Sequence, residues 1–197
     1  MSVSKRLRLG VVVTVLSMAI GVGYSALAQG PTTERAATKP TFTSDGKLMQ
    51  PVGYREWIYI GAPITPNDLN PPEAPFPEFH NVYLHPSDYE VYRKTGTFPD
   101  GTVLIKELVS VGSKTARSGA GYFMGEFIGL EAAIKDSKRF AKEPGSWAYF
   151  SFGHAYPLAR AADKQPVSTC NTCHQEGAAD DWVFTQYYPV LRAARPR

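Results

Sequence analysis

The chain has 197 residues, 43% hydrophobic and 12% aromatic, which is enough for a packed core and excludes intrinsic disorder. Its formal charge of +3 comes from Lys5, Arg6 and Arg8, and the remainder balances, which argues against nucleic acid or an anionic membrane as the main partner. Two cysteines are too few for a disulfide scaffold.

Residues 1–28 read as an export signal. Lys5, Arg6 and Arg8 give it a positive start, Gly10 to Ile20 is an uncharged apolar run, and Ala26-Leu27-Ala28 offers small residues for cleavage. The expectation is a mature protein that begins near Gln29 and works in the periplasm. The alternative is an uncleaved anchor in the inner membrane, because Leu9 to Ala28 is just long enough to span a bilayer. Residues 29–50 are polar and read as a flexible leader, which leaves 51–197 as the folded domain.

Tyr54 to Gly61 is aromatic and β-branched and suits a strand. Six prolines between 61 and 78 then forbid a helix or an inner strand, so this stretch reads as a long loop of the kind that covers a site. Phe79 to His85 is a strand. Pro86 to Thr95 is a short helix, with proline at its start and Gly96 after it. Phe98-Pro99-Asp100-Gly101 is a turn.

Thr102 to Val111, Ala120 to Leu130 and Ser146 to Phe152 are three more strands. Glu131 to Pro144 reads as an exposed hairpin. Its Lys135, Lys138, Arg139 and Lys142 offer a basic face to an acidic redox partner, although exposed hairpins are charged in any case. Thr169 to Glu176 and Asp180 to Ala194 suit helices. The fold class is α+β: an antiparallel sheet of about five strands with helices at its ends, the C-terminal helical part carrying both cysteines.

Those cysteines fall in Cys170-Asn171-Thr172-Cys173-His174, which is Cys-x-x-Cys-His, the attachment signature of c-type haem. On a helical turn two thiols three residues apart lie to one side, and each can add to a vinyl group. His174 then presents its imidazole to the iron. A thioredoxin-like dithiol does not need the histidine. A zinc site needs a fourth ligand, and the next histidine back is His154. A plain disulfide across two residues is strained. The export signal favours one covalent haem c.

No Met or Lys follows His174, so a second axial ligand from downstream is excluded. His80, His85, His154, Met49 and Met124 lie upstream, where a lone His or Met is ordinarily core or surface. The expectation is a five-coordinate haem with an open face, suited to small-ligand chemistry rather than pure electron transfer.

Side chains alternate along a strand, so Lys106 shares a face with Leu104 and Leu108, and Glu107 shares the other with Val103, Ile105 and Val109. A lysine on a buried face is costly unless paired with a carboxylate, carried to an edge, or used as a neutral amine. In Ala120 to Leu130 the same alternation groups Tyr122, Met124, Glu126, Ile128 and Leu130 against Phe123, Gly125, Phe127 and Gly129. Glycines inside a strand mark a close approach, and the flat macrocycle is the expected neighbour. Glu126, on an otherwise apolar face, is either an ordinary sheet carboxylate or a proton acceptor for a bound substrate.

With its late haem motif, the strand Gly101-Thr-Val-Leu-Ile-Lys106-Glu107, the run Gly121-Tyr-Phe-Met-Gly-Glu-Phe and Trp147, the chain resembles the cytochrome P-460 family over about Tyr54 to Ala194. Cytochrome c′-β proteins are its β-sheet relatives. The resemblance implies a lysine, here Lys106, bonded to a meso carbon of the haem, and a carboxylate in the distal pocket, for which Glu126 is the best match. Phe127, with Phe76 and Phe79, is either a cap on the open face or an ordinary core residue. The resemblance also implies a homodimer and oxidation of hydroxylamine with transfer of electrons to an external acceptor such as a small cytochrome. The alternative is a non-catalytic nitric oxide-binding protein of the c′-β kind.

Overall fold

A computed structural model describes residues 38–196. The export signal expected at 1–28 and the leader as far as residue 37 lie outside the described residues. Among those described, no helix is long and apolar enough to cross a membrane.

The strands are β1 (Leu48–Met49), β2 (Ile58–Gly61), β3 (Phe79–Leu84), β4 (Val103–Val111), β5 (Thr115–Ala116), β6 (Gly119–Ala120), β7 (Met124–Lys135), β8 (Trp147–Ser151) and β9 (Ala161–Ala162). The α-helices are α1 (Pro86–Thr95), α2 (Asn171–Gly177) and α3 (Pro189–Ala194). Five strands form one antiparallel sheet in the order β2-β3-β4-β7-β8, so the fold is α+β as expected. Helix α1 has the ends its sequence dictates. Pro86 stands in the first turn, the His85 ring accepts the Ser87 amide, and Gly96 closes the helix at φ 72°.

Four boundaries differ from expectation. Tyr54–Glu56 closes a 3₁₀ turn behind Gly53, so the first sheet strand starts only at Ile58. Strand β7 runs on through Glu131 to Lys135, where a hairpin was expected. The charges there are not solvated, because Glu131 and Lys135 find partners across the sheet and beyond it while Leu130, Ala132 and Ile134 bury the other face. The C-terminal helix shortens to a 3₁₀ turn at Thr185–Tyr187 followed by α3, which Pro189 begins. Residues 38–50 fold onto the body instead of trailing as a leader: Leu48 is fully buried opposite Ala162, and the Phe42 ring packs edgewise on Phe140 and Phe150.

Each face of the sheet carries its own core. Val103, Ile105, Leu130, Ala132, Ala148 and Phe150 pack one side with Tyr54 and Trp57. Val82, Leu84, Leu104, Trp147 and Tyr149 pack the other with Val183, Tyr188 and Leu191 from the C-terminal segment. Cys170 and Phe184 pack against this second core, so the haem motif belongs to the face that also bears Lys106.

Candidate functional site

Helix α2 is tied to the sheet by a buried hydrogen bond. Asn171 is 1% exposed, and its amide donates to the Trp147 carbonyl at 2.8 Å. Cys170 caps the helix, and no disulfide joins Cys170 to Cys173. One turn on, the His174 ring packs between Tyr149 and Phe184, with centroids 4.4 and 4.7 Å away. Its Nδ1 lies 2.8 Å from the Trp182 carbonyl. A carbonyl only accepts, so Nδ1 carries the proton and Nε2 keeps its lone pair. Burial lowers the His174 pKa; the Trp182 bond opposes that, and the Lys106 charge adds to it. The outcome is a neutral, oriented imidazole beside two thiols, the donor set that c-type haem requires. The residues fit the group.

The register sets Lys106 of β4 opposite Glu131 of β7, and Lys106 Nζ meets Glu131 Oε2 at 2.5 Å. The other carboxylate oxygen, Oε1, lies 3.0 Å from Nε2 of His154, a half-exposed ring. Burial pushes the Glu131 carboxyl up. The Lys106 charge and hydrogen bond, with the bond from His154, outweigh burial and hold it below its ordinary value. The charges of Lys106 and Glu131 are both felt at Cys170 and at His174, so the pair is within electrostatic reach of the haem motif. Lys106 is therefore present as one half of an ion pair.

Beyond Lys106 on the same face stands His80, opposite Leu108. Its Nε2 is buried without a hydrogen-bond partner, 4.0 Å from a Glu78 carboxylate oxygen. Burial, with the Lys106 charge, pulls its pKa down to about 4. The Phe76 ring lies 6.0 Å from the His80 ring and 4.8 Å below Lys106 Nζ. The proline-rich loop thus brings Phe76 to this cluster.

A model of the cytochrome P-460 family matches residues 51–185. The chain belongs to the cytochrome P-460 family. It is accordingly a cytochrome, a haem- and iron-binding protein. No match emerges among curated proteins.

In this member of the P-460 family the expected site residues divide into two groups. Cys170, Cys173, His174 and Lys106 share one face. Phe127 stands apart from them. Strand β7 carries an irregularity there: Gly129 pairs with Leu108 but Phe127 with Val109, so Ile128 is an extra residue. Phe127 consequently lies on the side of Val109 and Glu107, under the Arg55 guanidinium at 4.3 Å, and is 48% exposed. Glu126 is exposed, and its amide donates to Ser110 Oγ. The carboxylate at Lys106 is Glu131, hidden in the sequence because residues 131–144 have the composition of an exposed hairpin. Gly129 is narrow for a backbone reason: a Cβ there would sit 2.8 Å from the Gly153 carbonyl and from Leu108 Cδ1. The close neighbour is a crossing chain and not a macrocycle. Lys135 is likewise withdrawn from the basic hairpin, ion-paired with Asp181 at 2.6 Å.

Proposed function

We propose that this cytochrome is a periplasmic mono-haem c-type oxidoreductase that oxidises hydroxylamine. Cys170 and Cys173 hold one haem by thioether bonds, and His174 Nε2 ligates its iron. The bound haem supplies an electron sink for the substrate nitrogen and a route to an external acceptor such as a small cytochrome. Every proton released must be taken by the protein or by water.

The observation that carries the reading is the position of Lys106, on the face of the haem motif with its nitrogen against Glu131. Proton transfer to Glu131 leaves Lys106 a neutral amine, the form that can bond to carbon. With a haem held there, such an amine could bond to a meso carbon, an N–H and a C–H hydrogen leaving as protons and two electrons passing to the external acceptor. The ammonium charge then disappears. Burial, opposed then by His154 alone, would hold the Glu131 carboxyl less far down and make it a better base. Glu131 takes protons from hydroxylamine and hands them to His154, whose exposed ring meets solvent.

A second reading has its own support. The Lys106–Glu131 pair satisfies both side chains, as expected where no crosslink forms, and a nitric oxide-binding protein results. Lys106→Leu separates the two. For the enzyme, peptide mapping joins the Lys106 and haem peptides, and the variant regains an ordinary c-type spectrum. The variant also loses hydroxylamine turnover but still binds nitric oxide. A free Lys106 in the unmutated protein, with spectrum and activity unchanged by the substitution, refutes the crosslinked enzyme.

A further inference from the structure

Behind His174 the backbone is strained. Asp181 and Trp182 are consecutive non-glycine residues with left-handed φ, 45° and 58°. Asp tolerates that region better than most residues, whereas a bulky tryptophan does so rarely. Such strain persists only where the surroundings over-determine it.

Three contacts do so. Asp181 Oδ2 accepts from Lys135 Nζ at 2.6 Å, and Oδ1 from the indole Nε1 of the fully buried Trp147 at 3.3 Å. Lys135 Nζ also donates to the Phe98 carbonyl at 3.1 Å, which anchors the clamp to a second segment. The Trp182 ring lies directly on Gly145, itself at φ 62°, where a Cβ would sit 2.4 Å from Trp182 Cε3. Nothing larger than glycine fits there. What the strained turn delivers is one atom: the Trp182 carbonyl oxygen, 2.8 Å from His174 Nδ1 and 3.4 Å from the Tyr149 hydroxyl.

We propose that the Asp181–Trp182 turn, clamped by Lys135, Trp147 and Gly145, is a positioning device that aims this carbonyl at His174 and so tunes the haem iron. Asp181 is a positioning residue. A carbonyl held on the Nδ1–H bond strengthens electron donation from Nε2 and favours the ferric state. The inference rests on the haem reading above, with His174 as the iron ligand.

The test uses haem-loaded, full-length Asp181→Ala, Asp181→Asn and Lys135→Met. The readouts are the iron–histidine stretching band of the ferrous protein and the midpoint potential. Asp181→Ala should lower the band frequency and move the potential positive. Asp181→Asn keeps an acceptor and the left-handed tolerance, and should stay near the unmutated protein. Lys135→Met should shift both readouts as Asp181→Ala does, by less. An unmoved band and potential in Asp181→Ala overturn the proposal. Should that variant not load haem, unmoved values in Lys135→Met overturn it equally. Absence of any iron–histidine band in the unmutated protein refutes the underlying haem reading, and this inference falls with it.

Discussion

Replacing Glu131 with glutamine keeps the size of the side chain and removes its charge, and two independent effects are expected. The first is on turnover. A positioned general base contributes about 10²–10⁴-fold. Glu131 is 21% exposed at its side chain, so water can partly stand in for it. That points to the low end, a loss of about 100-fold in hydroxylamine oxidation. Activity needs the ionised carboxylate, so the rate falls as pH drops through its pKa, and this acid limb should be absent from Glu131→Gln. The second effect is on stability, in molecules whose Lys106 is unmodified. Burial pushes the carboxyl up, but Lys106 and His154 together hold it below its ordinary value in the fold. The pair's stabilisation is therefore present above the unfolded carboxyl pKa and is lost as pH falls through the folded one. A charge-assisted hydrogen bond is worth about 1.5–3 kcal/mol, and partial exposure reduces this to about 1–2. Urea denaturation at neutral and acidic pH measures it, and the difference from the unmutated protein should vanish in acid. Unmutated turnover with an intact acid limb would refute Glu131 as the base. A stability loss of equal size at both pH values would refute the ion-pair account.

Haem should survive acid-acetone denaturation of the unmutated protein, and the Cys170→Ala, Cys173→Ala double variant should lose it; complete extraction from the unmutated protein would disprove thioether attachment. The ferric iron should show a high-spin or water-bound spectrum, because His154 is engaged by Glu131 and the His85 ring by Ser87. A low-spin bis-histidine spectrum would contradict this and would point to His80, whose Nε2 has no hydrogen-bond partner. On the opposite face, fully buried Glu107 accepts from the Tyr54 hydroxyl at 2.5 Å and from Arg55, half-exposed at its side chain. Arg55→Met strands that carboxylate and should cost about 3–5 kcal/mol, whereas Glu107→Met frees Arg55 to water and should cost about 1–3. Equal losses in denaturation would contradict the asymmetry.

Local chemistry was legible along the chain. Pro86 and Gly96 bound α1, the Cys-x-x-Cys-His run marks the haem motif, and alternation on β4 already sets Lys106 beside Leu104 and against Glu107. These are relations between near neighbours, and a backbone period carries them. Relations across strands were not legible. Glu131 reads as a hairpin charge until the register places it opposite Lys106. Two register shifts, one at Ile128 and one between Phe127 and Met124, reset the alternation, so Phe127 and Glu126 could not be assigned to a face by counting. The support of His174 was hidden most completely. Its partner is a backbone carbonyl, which no residue type encodes. That carbonyl is carried by the left-handed backbone at Asp181 and Trp182, and that conformation is imposed by Lys135, Gly145 and Trp147, more than 30 residues earlier in the chain.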